Sequence, residues 1–168
     1  MKNLILFLSF ILLTNTLPAK TFYIAPDGND ATGDGSVSAP FATLMKAQQV
    51  VAGGDTVFAR GGNYYLKESG ITFTVSLGPY KIVNYFNKSG SSVSKRIHYW
   101  AYPGEKPVFD FSAVKPAGYR VTAFFTTGSY LHFKGLEVVG VQVTILAHTQ
   151  SECFRNQGSY NIFEQLSM

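Results

Sequence analysis

Hydrophobic positions along the chain fall into short runs separated by turn residues, a pattern typical of β-structure. Runs of β-branched and aromatic residues alternate with stretches rich in Gly, Asn, Pro and Ser. The predicted strands are residues 21–25, 55–59, 64–66, 71–75, 96–101, 108–111, 119–125, 130–133, 136–139, 141–146 and 160–163. The irregular stretch 76–94 is predicted to be a loop. Short strands without intervening helices exclude a doubly wound α/β fold and leave a sandwich, a barrel or a solenoid.

One helical pattern interrupts the strands near the front, and it is predicted to cover residues 40–52. Pro40 is placed in the first turn, with residues 38–39 near the N-cap. Apolar residues follow at helical spacing, with Gln48 as the one polar exception, and Gly53-Gly54 ends the pattern.

Three features favour the solenoid among the β architectures. The single helix stands in front, where a solenoid needs a cap over its first coil. The run 108–111 (VFDF) does not alternate cleanly, as expected for strands buried in parallel sheets. Gly-Ser-Tyr occurs at 128–130 and again at 158–160, a spacing of 30 residues. That spacing lies within the range of about 20–45 residues for solenoid repeats.

Residues 1–19 are predicted to be a signal peptide, which places the mature chain at 20–168. Their apolar stretch of ten residues, 4–13, is too short for a bilayer that requires about 20. Export implies a secreted or periplasmic protein, with no membrane span and no nucleic acid as partner. The net charge of +4 permits an anionic partner. A single cysteine excludes an intrachain disulfide framework.

The acidic front loop offers one candidate metal site. Asp30, Asp34 and the glycine after Asp34 resemble the start of a calcium loop, but the twelfth position is Phe41 where an EF-hand needs Glu. Two interpretations remain: a looser calcium site formed by Asp27, Asp30 and Asp34, or capping of turns by these side chains.

The remaining residues with possible chemistry show no metal or catalytic spacing. His98, His132 and His148 are isolated and are expected to be packed or surface residues of strands. Cys153 is expected to be a buried small hydrophobic residue. The glycine-rich segment 53–62 lacks the Lys-Ser/Thr of a phosphate loop, which excludes nucleotide binding of that kind.

Several segments together resemble a known family. They are TFYIAPDGND (21–30), GSVSAPFATLMKAQQVVAGGDTVFARGGNYY (35–65), KRIHYWAYPGEKPVFDFS (95–112), YLHFKGLEVVG (130–140) and HTQSECFRNQGSYNIFEQLSM (148–168). These are similar to the N-terminal part of right-handed parallel β-helix polysaccharide lyases, most of all the family 9 pectate and rhamnogalacturonan lyases. The resemblance covers residues 21–168, with a gap over 76–94. It implies an all-β, right-handed parallel β-helix with an N-terminal capping helix, of which residues 20–168 form the cap and first coils, incomplete at the C-terminus.

The resemblance also implies a function. It implies a secreted, monomeric lyase that cleaves an acidic plant polysaccharide, pectate or rhamnogalacturonan, by β-elimination at galacturonic acid. The family uses calcium held by an Asp cluster to acidify the C5 proton, and a Lys as the base. Those residues lie in coils after the matched stretch, and this chain has no Asp beyond Asp110. No catalytic or metal-binding residue is therefore assigned within the chain, and the calcium ligands are expected outside it.

Alternatives remain open at this stage. Lys134, Arg155 and Glu152 either line the beginning of a substrate groove or are solvated loop residues. The same scaffold also carries glycoside hydrolases with paired carboxylates and non-catalytic modules that bind glycans or serve as adhesins. An Asp cluster with a Lys in the following coils would favour the lyase, and two or three carboxylates without a Lys would favour the hydrolase.

Overall fold

The computed structural model describes residues 18–75, 80–142 and 151–168. These ranges contain one α-helix, α1 (Leu44–Val50), a 3-10 helix (Glu68–Gly70) and twelve strands. The strands are β1 (Thr21–Ile24), β2 (Thr56–Ala59), β3 (Gly62–Lys67), β4 (Phe73–Val75), β5 (Tyr80–Phe86), β6 (Ile97–Ala101), β7 (Pro107–Ala113), β8 (Arg120–Thr126), β9 (Leu131–Lys134), β10 (Glu137–Val139), β11 (Glu152–Asn156) and β12 (Ile162–Glu164).

The strands form three sheets, and the chain visits them in a fixed order. Sheet A has the order β1-β2-β6-β9-β12, sheet B β3-β7-β10, and sheet C β4-β5-β8-β11. Each passage through A, B and C makes one coil, so β6, β7 and β8 form one coil and β9, β10 and β11 the next. Every described pairing between coils is parallel, and only β4 and β5 pair antiparallel. The predicted parallel β-helix is confirmed.

The core is built from side chains that stack on one another from coil to coil. Tyr99, Phe133 and Phe163 occupy equivalent positions of β6, β9 and β12. Their ring centroids are 5.2 Å and 5.3 Å apart, with nearly parallel planes. Tyr64 and Phe109 form a similar pair between β3 and β7, at 4.7 Å. Because the strands are parallel and in register, one aromatic residue per coil extends each stack.

The turn from sheet A to sheet B needs glycine. Gly62 has a φ of 117°, a conformation that other residues rarely adopt. Arg60, beside it, forms a bidentate ion pair with Glu105 of the next coil, and the Gly61 amide donates to the same carboxylate at 2.6 Å. Gly61-Gly62 thus lies where the chain turns from one sheet to the next.

The turn from sheet C to sheet A contains the repeated Gly-Ser-Tyr. Tyr130 and Tyr160 both have a positive φ, and their rings stack at 4.9 Å with planes 5° apart. The paired strands on either side keep the same spacing, since Thr122 pairs with Glu152 and His132 with Ile162. The 30-residue repeat is therefore one coil.

The helix is shorter than predicted. Residues 40–52 were expected to be helical, but α1 covers only Leu44–Val50 and its N-cap is Thr43, so the predicted cap at 38–39 is wrong. Phe41 explains the difference. Its amide donates to the Tyr23 carbonyl, and its own carbonyl accepts from the Ala25 amide. This extended bridge to β1 holds Pro40 and Phe41 outside the helix.

The helix closes the front of the core, as expected of a cap. Leu44, Ala47 and Gln48 are buried, and α1 packs against β1 and β5. The polar exception in the helical pattern has a partner, because the Gln48 side-chain amide hydrogen-bonds to the buried Tyr99 hydroxyl. Lys88 donates to two carbonyls at the helix end, those of Gln49 and Val51.

Several predicted boundaries need correction. Residues 80–86, predicted to be part of a loop, form β5, and the sequence pattern did not predict β11. In the predicted strand 141–146, residues 141–142 are not in a strand, and 143–146 lie outside the described residues. Residues 1–17, most of the predicted signal peptide, also lie outside them. In the described ranges, no helix has the length and apolar character that crossing a membrane requires.

Candidate functional site

Sheet C presents polar and aromatic side chains outside the core, on three consecutive coils. We call this set the sheet C surface, and its members are Tyr80, Tyr85, Arg120, Phe125, Glu152 and Arg155. None of the six belongs to the core cluster. Strand register brings them together: Tyr80 pairs with Arg120, and Tyr85, Phe125 and Arg155 lie in one row.

Aromatic rings form the base of the sheet C surface. Tyr85 and Phe125 stack at 5.5 Å with planes 14° apart. Phe125 is almost completely buried beneath its neighbours. The Thr127 hydroxyl donates to the Tyr85 hydroxyl at 3.2 Å, which fixes the ring at the edge of β8.

Two guanidinium groups lie on these rings. Arg120 donates to the Tyr80 hydroxyl at 2.9 Å, and its guanidinium carbon is 5.2 Å from the centre of that ring. Arg155 reaches the same ring at 4.9 Å and the Phe125 ring at 5.6 Å. Aromatic faces attract cations, so both guanidinium groups are oriented while their charge stays available. The Arg120 Nε is buried and has no hydrogen-bond partner among the described residues.

One carboxylate lies beside the two cations. Glu152 accepts from the Thr122 hydroxyl at 3.1 Å and lies 3.8 Å from Arg155. The side chains of Arg155 and Glu152 are 29% and 26% exposed, so a ligand can reach both. The surface therefore has one net positive charge, and its guanidinium forks suit a carboxylate ligand. In the described part of the chain, no group of three or more His, Cys, Asp or Glu is placed to hold a metal ion. Calcium therefore does not fit these residues.

The predicted groove residues separate into two locations. Arg155 and Glu152 share β11 and the sheet C surface. Lys134 lies on β9 in sheet A and pairs with Glu164 at 2.9 Å. The structure thus brings together two of the three residues, and none of them is a solvated loop residue.

His98 and His132 are strand residues, as expected, and the fold brings them side by side. His98 and His132 pair in register on β6 and β9, with ring centroids 5.5 Å apart on the outer face of sheet A. His132 lies 3.0 Å from a Glu164 oxygen. Burial, then the nearby His132 and Arg96, lower the pKa of His98 below its ordinary value. His148 lies outside the described residues. Cys153 is only partly buried and packs against the core, and this burial raises the pKa of its thiol.

The front-loop aspartates act as caps. The Asp34 carboxylate accepts from the Ser36 amide two residues on, an Asx-turn, and these bonds to Ser36 lower its pKa. Asp30 accepts from the amides of Ala42 and Thr43. Of the two interpretations, the structure shows capping for Asp30 and Asp34.

Sequence reasoning missed Tyr80, Tyr85, Arg120 and Phe125 as site residues. A signal for part of the site was present in the Gly-Ser-Tyr repeat. When the sequence is aligned with itself at an offset of 30 residues, Phe125 aligns with Arg155 and Thr122 with Glu152. The strand register between β8 and β11 shows the same pairs. Tyr80 could not be found this way, because the coil that contains β5 has a different length.

The stacked coils, three parallel sheets and helical cap define a parallel β-helix. Residues 22–168 match the Pel9A-like right-handed β-helix region. The chain belongs to this Pel9A-like right-handed β-helix family, as its sequence resemblance predicted, and the predicted right-handed coiling is confirmed.

Individual relatives agree with the family assignment. A solved rhamnogalacturonan lyase is 44% identical with a TM-score of 0.83, over 88% of this chain and 35% of that one. The structure of pectate lyase Pel9A is 28% identical with a TM-score of 0.61, over 90% and 34%. Pectate lyase L of Dickeya dadantii (strain 3937) is 31% identical, over 75% of this chain and 28% of that protein. The chain thus spans about a third of the length of these relatives.

Proposed function

We propose that the chain forms coils of a secreted lyase that cleaves a galacturonate-containing pectic polysaccharide by β-elimination, and that the sheet C surface binds the acidic polysaccharide. The observation that carries the binding part is the placement of Arg120 and Arg155 on the Tyr80 ring, next to a single carboxylate. The names of the relatives support a lyase over a glycoside hydrolase or an adhesin.

The proposed chemistry assigns binding to this chain. β-Elimination takes the proton from C5 of a galacturonate, breaks the bond between C4 and the glycosidic oxygen, and leaves a C4–C5 double bond. A guanidinium pair can hold the uronate carboxylates of neighbouring sugars, and the aromatic rings can contact the sugar faces. The base and the calcium ligands are expected outside residues 1–168, as the resemblance implies.

The higher identity to a rhamnogalacturonan lyase, 44% against 29% to 36% for three pectate lyases L, supports rhamnogalacturonan as the substrate. Both polymers contain galacturonate, so both can pair with the two arginines. The alternating rhamnose of rhamnogalacturonan spaces the carboxylates further apart, and a comparison of oligomers of both types measures which spacing fits the surface.

The test is calorimetric titration of the chain with oligogalacturonate and with rhamnogalacturonan oligomers. We expect Arg120→Gln and Arg155→Gln each to weaken binding about tenfold, the order expected for one charge-assisted hydrogen bond. The matched control is Lys106→Gln, because Lys106 pairs with Glu137 away from the sheet C surface. It removes the same charge and should leave affinity unchanged. Wild-type affinity in the Arg120→Gln/Arg155→Gln double variant would contradict the proposal.

A further inference from the structure

The outer face of sheet A has its own aromatic surface, which the proposed function does not use. We call it the sheet A surface, and its members are Tyr23, Phe58, His98, Trp100, Tyr102 and His132. None of the six belongs to the core cluster. Residues next to them in the sequence, such as Val57 and Tyr99, point inward and do belong to it. Each of the six is partly exposed. A continuous aromatic area on the outside of a protein marks a binding surface more often than chance.

The ring pairs of this surface are tilted or edge-to-face, with planes 31° to 81° apart. On the sheet A surface, Phe58 meets Tyr102 at 77° and Trp100 at 60°. In a tilted pair the edge of one ring contacts the face of the other, so the pair covers less ring face than a parallel stack does. The Arg60 guanidinium lies 4.9 Å from the centre of the Tyr102 ring, on one side of it, and a ligand would contact the other side.

The cations nearest Trp100 and Tyr102 are paired with carboxylates. Arg60 forms a bidentate pair with Glu105, and Lys134 pairs with Glu164. Arg60 and Lys134 thus each have an anion of their own, and Arg96, at the other end of β6 near His98, donates to the Tyr160 carbonyl. On the sheet C surface, two arginines share one carboxylate. A uronate chain would have to compete with Glu105 and Glu164 for these cations. The charge pattern therefore favours an uncharged ligand.

We propose that the sheet A surface binds a neutral polysaccharide chain. The apolar faces of its pyranose rings would lie on Phe58, Trp100 and Tyr102, and its hydroxyls would reach the paired charges at the rim. The aromatic positions span β1, β2, β6 and β9, four strands spaced by about 4.8 Å, which gives a platform of about 14 Å. That length accommodates a few consecutive sugar residues. The proposal does not depend on lyase activity, because it concerns a different sheet.

Trp100 is the only tryptophan of the chain, so its fluorescence reports on this surface alone. The experiment titrates the chain with galactan and xylan oligosaccharides and follows the emission. We expect a saturable change with at least one of these neutral probes and no change with oligogalacturonate. Phe58→Ala and Tyr102→Ala should weaken the response about tenfold, the loss typical of an aromatic anchor. Tyr65→Ala, at an exposed tyrosine of sheet B that belongs to neither surface, is the matched control and should leave the response intact.

Tyr102→Leu separates binding from folding, because it keeps an apolar side chain while it removes the ring. Its circular dichroism should equal that of the wild type, and its affinity for the neutral probe should fall as in Tyr102→Ala. The proposal is overturned if no neutral probe changes the emission, or if oligogalacturonate changes it equally. A change in emission with protein concentration alone would also overturn it, since a second copy of the chain would then cover the surface.

Discussion

Asp30 ties the front loop to the start of the helix. Its carboxylate accepts from the Ala42 amide at 2.7 Å, and from the amide and hydroxyl of Thr43 at 3.1 and 2.6 Å. The Thr43 hydroxyl in turn accepts from the Lys46 amide as the N-cap. The sequence predicted capping as one of two roles for this residue. It could not predict which amides are capped, because they lie twelve and thirteen residues away and are brought near only by the folded loop.

We expect Asp30→Ala to lower the free energy of unfolding by about 1–2 kcal/mol, the usual cost of a lost cap. The cost arises because buried helix-terminal amides lose their acceptor. Asp27→Ala, in the same loop, removes the same charge and serves as the control. Chemical denaturation of both variants checks the prediction. Equal loss of stability in both would show that loop charge, and not capping, is responsible.

His98 makes stability depend on pH. Burial disfavours its charged form, so its pKa is lower in the folded chain than the unfolded value of about 6.5. The unfolded state therefore binds the proton more readily, and stability should fall as the pH drops through about 6.5 and below. His98→Gln should reduce this dependence. Thermal unfolding between about pH 8 and pH 5 measures it, and identical slopes for both proteins would refute it.

At the scale of elements, the sheet C strands were the hardest to predict. The pattern YKIVNYF of β5 and the charged ECFRN of β11 contain Lys, Asn, Glu and Arg within short runs, which obscures a strand signal. Glu152 and Arg155 of β11 belong to the sheet C surface, whereas Asn84 of β5 is buried and donates to the Ala123 carbonyl at 3.1 Å. The strands of sheets A and B, with cleaner apolar runs, were located to within a few residues. The polar residues of β11 therefore have two effects: they hide the strand in the sequence pattern, and they form part of the sheet C surface.

The close stacking of coils makes certain glycines irreplaceable. A side chain at Gly128 would overlap the carbonyl oxygen of Lys88 in the preceding coil, whereas one at Gly118 would meet open space. Backbone atoms cannot move aside, so Gly128→Ala should cost about 3 kcal/mol, at the upper end for overpacking. Gly118→Ala should cost about 1 kcal/mol, because only its positive φ opposes the new side chain. Urea denaturation distinguishes the two, and equal losses would contradict the stacking argument.

At the scale of the whole molecule, the architecture was predictable because it repeats. The capping helix, the turn motif repeated after 30 residues and the family resemblance together predicted a parallel β-helix with a cap at its front. The partition of functions among faces was not predictable. Lys134 and Arg155 looked equivalent in the sequence, yet the coil places them on different sheets with different partners. Only the coil geometry shows that two arginines share one carboxylate on sheet C, whereas Lys134 on sheet A is paired with Glu164.

The placement of the late acidic residues on three different sheets argues against a calcium site formed by them. Glu137, Glu152 and Glu164 are the only acidic residues after Asp110, and they lie on sheets B, C and A. Each has its own cation: Lys106, Arg155 and Lys134. Calcium usually takes six to eight oxygen ligands, and three separated, paired carboxylates do not provide them.

We therefore expect the 168-residue chain neither to cleave pectic polymers nor to depend on calcium for folding. The assay incubates purified chain with polygalacturonate and with rhamnogalacturonan, with calcium or with a chelator, and follows the ultraviolet absorbance of the unsaturated product. Thermal unfolding under the same two conditions should give equal midpoints, since binding of an ion to the folded state alone would raise the midpoint. Growth of absorbance that requires calcium would show that residues 1–168 contain a catalytic site, formed by side chains other than the three paired glutamates.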